Sequence, residues 1–206
     1  MRIEYRNLPL DRGQLEADPL VQFTRWMSDA ETAGVEEPNA FVVATADAAG
    51  RPSARTVLLK GTGPEGFAFY TNYESRKADE IEANPVAAAV FLWLPIRRQV
   101  RIEGTVTRVD PVVSDAYFDS RPPESRLASA ASPQSKVVAN RAELDQRLEE
   151  WRSRYPDGNV PRPANWGGYQ ITPMTYEFWQ GREARFHDRF QYTLDGVRWH
   201  VERLAP

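Results

Sequence analysis

Most of the residues in this chain that could do chemistry are cationic, and they fall into four groups. Arg185-Phe186-His187-Asp188-Arg189 places two guanidiniums, an imidazole and a carboxylate on one short segment. In an extended chain Arg185, His187 and Arg189 would share a face, with Asp188 opposite. Two like charges on one face repel unless an anion lies between them, and the imidazole titrates near neutral pH. Ser75-Arg76-Lys77 puts a capping hydroxyl, free amides and two cations on the first turn of a helix, a ready anion site. Its plain alternative is a solvated basic turn. Arg55 and Lys60 bracket the apolar run Val57-Leu58-Leu59 and would point to opposite faces of a regular strand buried on both sides. A lysine there needs a partner, or it ends the strand and reaches water. Tyr117, Arg121 and Ser125 recur every fourth residue, which on one helix would stack three hydrogen-bond donors suited to a phosphate. Pro122-Pro123 counts against a regular helix through that trio.

These groups need a scaffold, and its elements can be read in order. Asp18-Pro19 opens a helix that runs through Leu20, Phe23, Met27 and Ala30 to Gly34. Residues 40–47, 54–61 and 66–72 are short β-branched and aromatic runs that predict strands. A short helix over 75–85 has Ser75 as its cap, and strands follow at 86–93 and 98–109. Residues 111–120 predict a short helix, 120–132 an irregular stretch, and Asn140 to Tyr155 an amphipathic helix with Leu144, Leu148, Trp151 and Tyr155 on one side. The last stretch returns to strand in the runs WGGYQITP, TYEFWQG, FQYTL and VRWHVERL, and Asp195-Gly196 marks a hairpin. About seven antiparallel strands with three to five helices predict one α+β domain on a barrel or strongly bent sheet. Gly61-Thr62-Gly63-Pro64-Glu65-Gly66 has the letters of a dinucleotide fingerprint, but a strand follows the glycines where that motif needs a helix. A hairpin turn fits it better.

Composition narrows the chemistry. The 206 residues carry 26 basic and 29 acidic side chains, no cysteine and two histidines. Disulfides, iron–sulfur clusters and thiol catalysis are excluded, and a histidine-rich metal site has little to draw on. The slightly acidic total argues against nucleic-acid binding. No apolar run approaches the ~18 residues of a membrane helix, and the polar N-terminus lacks a secretory signal, so a soluble cytoplasmic protein is expected. Of the basic residues 23 are arginine. Codon bias explains that on a solvated surface; the alternative is the bidentate grip of arginine on phosphates and carboxylates.

Read together, the blocks become recognisable. Arg55-x-Val57-Leu58-Leu59-Lys60 is followed by Phe69-Tyr70-Thr71-Asn72-x-x-Ser75-Arg76-Lys77 and by Arg98-Gln99-Val100-Arg101-x-x-Gly104. Then come Tyr117-Phe118-x-Ser120-Arg121-Pro122, Gln134-Ser135, Trp166-Gly167-Gly168, Glu177-Phe178-Trp179-Gln180-Gly181 and the closing Arg203-Leu204-Ala205-Pro206. This collinear series resembles the pyridoxine/pyridoxamine 5′-phosphate oxidases, and Arg2-x-Glu4-Tyr5 is similar to that family's N-terminal arm. The resemblance implies a split β-barrel, mostly antiparallel with peripheral helices. Residues 1–17 would form an arm over the active site and 18–206 a single FMN-binding domain. It further implies a homodimer with FMN in a cleft between subunits. The reaction would be oxidation of pyridoxine or pyridoxamine 5′-phosphate to pyridoxal 5′-phosphate, with O2 reduced to H2O2.

Carried over residue by residue, the FMN set would be Arg55, Thr56, Val57, Leu58, Leu59, Lys60, Tyr70, Thr71, Arg76, Lys77, Gln99, Gln134, Ser135, Trp179 and Arg189. The substrate set would be Arg2, Tyr5, Lys60, Tyr117, Arg121, Ser125, Arg185 and His187. Flavin supplies the redox chemistry, so the protein need only hold C4′ of the substrate against the flavin N5. By intrinsic pKa His187 is the expected proton acceptor, with water as the alternative; Arg185 would orient the ring. One departure stands out: after Ser125 the family usually reads Gln-Ile-Gly-Ala-Trp-Ala-Ser, whereas this chain reads Arg126-Leu127-Ala128-Ser129-Ala130-Ala131-Ser132. Phenazine-pathway flavin oxidases share the fold but lack a lysine matching Lys60 and the Tyr/Arg/Ser trio. A non-catalytic FMN or pyridoxal-phosphate carrier is the other alternative, and the Arg185–His187 pair argues against it.

Overall fold

The structure is a computed structural model that describes residues 9–206. Arg2 and Tyr5 therefore lie outside the described residues. Helix α1 (Pro19–Thr32) begins as its sequence predicts: the Asp18 carboxylate accepts the Leu20 N–H at 2.8 Å and Pro19 fills the first helical position. Its Phe23, Trp26 and Ala30 are buried.

Among the described residues nine strands form one antiparallel sheet: β1 (Ala40–Ala46), β2 (Pro52–Leu58), β3 (Gly61–Gly63), β4 (Gly66–Asn72), β5 (Val86–Trp93), β6 (Arg98–Arg108), β7 (Trp166–Gln180), β8 (Asp188–Asp195) and β9 (Arg198–Leu204). The strand path is β2-β1-β5-β6-β7-β4-β3, with the β8–β9 hairpin attached to β7. Only Leu59 and Lys60 separate β2 from β3, the two ends of that path. The sheet must therefore curl until its edges meet. Two backbone bonds hold the seam, Leu59 N–H to Asn39 C=O and Lys60 N–H to Ala68 C=O, both 2.9 Å. Inside the curl an aromatic core forms: Phe23 meets Phe67 and Phe91 edge-on at 4.8 and 4.9 Å, and Phe41 stacks on Phe91 at 4.9 Å. Burying each such ring is worth about 1.5–3 kcal/mol.

The long β7 differs from its expected description as two runs. It bends without breaking, because β6 pairs with it from Tyr169 to Gln180 through a bulge at Glu103/Gly104. Gly104 permits this: a Cβ there would lie 2.0 Å from the Thr172 carbonyl oxygen. One edge of β7 pairs first with β4 and then, past the bend, with β8. The predicted strand over 54–61 is β2 shifted toward its N-terminus, and its buried-both-sides reading fails. Alternate residues are exposed and only Leu59, beyond the strand, is fully buried.

Helices cover the outside: α2 (Arg76–Ala83), α3 (Pro111–Asp119), α4 (Pro123–Ala131) and α5 (Arg141–Arg154). The stretch 120–132, expected to be irregular, contains α4. Pro123 occupies its first helical position, where a missing N–H costs nothing. Tyr117, Arg121 and Ser125 thus sit on two helices and the turn between them, not on one helix. Helix α5 has the predicted apolar stripe, but its residues are at most half-buried. The Asp195-Gly196 hairpin forms as expected, with Asp195 opposite Arg198 and Gly196 at φ 60°.

Candidate active site

The Ser75–Lys77 turn lies directly after β4, and Lys77 folds inward. Its Nζ donates to Thr71 Oγ1 at 2.8 Å, Gln134 Oε1 at 2.8 Å and Ser75 Oγ at 3.2 Å. Ser75 therefore does not cap α2 with its hydroxyl. Lys77 is 7 % exposed, and every one of these partners is neutral. Burial, with a smaller contribution from the charge of Arg55, lowers its pKa to about 8. Beside it, Glu80 gathers Arg55 and Arg76: Arg76 Nε donates at 2.8 Å and Arg55 Nη2 at 3.3 Å. Burial alone would raise the Glu80 pKa, but hydrogen bonds from Ser53, Thr45, Arg76 and Arg55 outweigh it and bring it to about 2. The carboxylate stays ionised and locks both guanidiniums. Ser135 follows Gln134 at φ 69° and is exposed.

One residue before Thr71, Tyr70 begins a stack of aromatic rings. Tyr117 lies 4.0 Å from it and Trp166 5.5 Å, both nearly parallel. Gly168 makes room, since a Cβ there would come within 2.9 Å of the Tyr70 ring. Arg121 closes the group: its guanidinium lies 4.8 Å over Trp166 and donates to Ser129 Oγ at 2.9 Å. Ser129 is one of the departures noted after Ser125. No carboxylate pairs with Arg121 among the described residues. Ser125 sits half-buried on the first turn of α4, and Lys60 is exposed on the β2–β3 connection near β4. Thr56, Val57 and Leu58 line β2, with Leu59 next to its end.

The third group is built on other strands. Gln99, Trp179 and Arg189 face one another across β6, β7 and β8, forming one row on one face of the sheet. Arg189 does not face an unpaired Arg185, as an extended segment would have it. It donates to both Glu177 oxygens at 2.9 and 3.1 Å. The segment before it is a turn: Ala184 and Arg185 have φ of 54° and 62°, and β8 starts only at Asp188. Left-handed backbone at non-glycine residues costs about 1–3 kcal/mol each. His187 is half-buried with its ring 4.5 Å from Trp179. Arg185 is exposed.

Along β7 these groups are far apart. Tyr70 lies opposite Gly168 and Gln99 opposite Trp179. The eleven residue steps from Gly168 to Trp179 trace at most roughly 36 Å of strand, at ~3.3 Å each. One chain therefore unites Arg55, Thr71, Arg76, Lys77 and Gln134, places Tyr70, Tyr117 and Arg121 beside them, and holds Trp179, Arg185, His187 and Arg189 elsewhere.

Sequence reasoning missed the carboxylates that hold these cations, Glu80 and Glu177, and it did not foresee that Asp188, named with the Arg185 group, pairs with Arg182 and Arg203. The four-residue spacing of Arg76 and Glu80 on a helix was a usable signal. Glu177 and Asp188 draw partners from distant segments, such as Arg101 and Leu10, and carry no local signature.

Comparison with known proteins agrees with this architecture. The family model for pyridoxamine 5′-phosphate oxidase matches residues 27–155, and that for the pyridoxine 5′-phosphate oxidase C-terminal dimerisation region matches 166–206. A pyridoxine/pyridoxamine 5′-phosphate oxidase of Rubrobacter xylanophilus is 51 % identical over all of this chain and 95 % of its own. That of Crocosphaera subtropica is 49 % identical over all of this chain and 98 % of its own. Among solved structures, PhzG from Burkholderia lata, in complex with tetrahydrophenazine-1-carboxylic acid, superposes with TM-score 0.91 at 28 % identity, covering 98 % of each chain. An FMN binding protein of Nostoc punctiforme shares the fold at TM-score 0.73 and 19 % identity, over 93 % of this chain and all of its own. The curled sheet is thus the split barrel expected from the sequence, and with half its residues shared end to end by such relatives, the chain belongs to the pyridoxine/pyridoxamine 5′-phosphate oxidase family.

Proposed function

We propose that this protein oxidises pyridoxine or pyridoxamine 5′-phosphate to pyridoxal 5′-phosphate, with FMN as resident cofactor and O2 reduced to H2O2. The observation that carries this reading is Lys77: a buried ammonium with only neutral partners, at a helix N-terminus beside two guanidiniums. Such a cradle fits one phosphate monoester. Arg121, a second cation with no carboxylate partner among the described residues, lies over Trp166 of the Tyr70–Tyr117–Trp166 stack and fits the phosphate of the substrate.

Arg55, Thr71, Arg76, Lys77, Gln134 and Ser135 would hold the FMN phosphate end, with β2 residues Thr56 to Leu58 along the ring. Bound FMN supplies a two-electron acceptor that O2 regenerates. Lys60, Tyr117, Arg121 and Ser125 would grip the substrate phosphate, which fixes C4′ at a set distance from the flavin. Arg185 and His187 would flank the substrate ring. Because one chain keeps those two residues far from Arg121, a complete site needs a second copy that contributes Gln99, Trp179, Arg185, His187 and Arg189. A homodimer satisfies this, and the match to a dimerisation region supports it. The phenazine-enzyme likeness is a second reading, favoured by the TM-score of 0.91. The presence of Lys60 with Tyr117, Arg121 and Ser125 speaks for the phosphorylated substrate.

The purified protein is expected to be yellow and to release FMN, not FAD, on denaturation, and to form H2O2 with either B6 phosphate. Recovery of FAD, or no H2O2 after FMN loading, would sink the assignment. Lys77 adds a pH dependence. A phosphate favours its charged form, so FMN affinity should weaken as pH rises through about 8. The folded pKa lies below the ordinary 10.5, so the unfolded chain binds more protons between those values. The FMN-free protein should therefore gain stability over the same range in which it loses FMN affinity. Calorimetric titration and thermal unfolding across that window check both signs.

A further inference from the structure

The surroundings of His187 fix which of its nitrogens can do what. Its Nδ1 accepts the Arg182 backbone N–H at 3.0 Å. A backbone amide can only donate, so Nδ1 presents its lone pair there, and the proton of the neutral ring resides on Nε2. The contact is well supported. Phe186 N–H closes the turn onto the Glu183 carbonyl at 3.1 Å, and the ring rests against Trp179. The Arg182 guanidinium donates at 3.0 Å to Asp188, the residue after the imidazole. Asp188 is 6 % exposed and also accepts from Leu10 N–H at 3.1 Å and Arg203 Nη1 at 2.7 Å. The opposite tautomer would set N–H against N–H.

We propose that His187 acts as a hydrogen-bond donor through Nε2–H, and not as the base that takes the substrate's proton. The inference rests on the B6-phosphate oxidase reading for the identity of its acceptor, an oxygen of the substrate, but not for the tautomer. For the alcohol substrate the balance is simple. Bound FMN would supply the two-electron acceptor for the C4′ hydrogen, and the hydroxyl proton would go to water. The neutral imidazole has one lone pair, on Nδ1, and Arg182 occupies it.

The chain has only two histidines, so ¹⁵N imidazole spectra contain two sets of signals. The second, His200, lies exposed on β9 and is assigned with His200→Gln. Neutral His187 is expected as the Nε2–H tautomer with and without FMN; the Nδ1–H tautomer would overturn the proposal. The second measurement is flavin reduction by substrate without oxygen. His187→Gln carries an amide N–H near the Nε2 position, whereas the shorter His187→Asn reaches only the Nδ1 position. A donor role predicts a loss of roughly 3- to 10-fold in His187→Asn and recovery in His187→Gln. Equal losses in both, of about 10²-fold or more, would make His187 the base. If FMN-loaded wild type oxidises neither B6 phosphate, the functional reading fails, and the spectra still decide the tautomer.

Discussion

Arg121→Ala is expected to raise KM for the phosphorylated substrate by roughly 10- to 150-fold, the value of a charge-assisted hydrogen bond of ~1.5–3 kcal/mol. FMN content should not change. The guanidinium is held by Trp166, Phe118 and Ser129, whereas the Lys77 ammonium is held by the side chains of Thr71, Ser75 and Gln134. Its loss leaves Lys77, Thr71 and Gln134 joined to one another. The substrate keeps Lys60, Tyr117 and Ser125 on the proposed reading, so kcat at saturation should fall much less than affinity. Steady-state kinetics with a flavin assay on the same preparation separates these quantities. FMN loss with an unchanged KM would mean that Arg121 serves the other phosphate.

The fold was legible where local chemistry and tertiary pairing agree. Asp18-Pro19 starts α1, Asn140 caps α5 through the Glu143 N–H, and Asp195-Gly196 turns β8 into β9. It was illegible where a residue has two local meanings. Pro122-Pro123 looks like a break, yet proline is also a favoured first residue of a helix, and α4 begins there. Pro173 and Met174 interrupt the alternation of β7, yet pairing with β6 carries the strand past them. In the site the residue types pointed to phosphate, but not to how each cation is held. Arg189, grouped by sequence with Arg185, is oriented by Glu177 on the neighbouring strand. Nor does spacing along the chain reveal that β7 runs between the two halves of the proposed site.

That separation makes the strongest claim of the dimer model, and mixing experiments test it. Arg121→Ala removes a residue beside the β4 end of β7, and Arg185→Ala one beyond its β8 end. Arg185→Ala is expected to slow anaerobic flavin reduction by up to ~10²-fold, as small losses of substrate position do, while reoxidation by O2 stays near wild type. Assayed at low substrate, each variant alone should be nearly inactive. In a C2 dimer whose sites each draw one half from each subunit, a mixed dimer carries both defects in one site and none in the other. Random pairing of equal amounts makes half the dimers mixed, so about a quarter of all sites should be intact. Co-expression of the two variants is therefore expected to restore about a quarter of wild-type kcat/KM. If both groups instead acted within one chain, every site in every dimer would carry a defect, and the mixture would be no more active than the average of its parents. Recovery near a quarter places the halves on different subunits; absence of recovery, with mixed dimers verified by mass, places them on one.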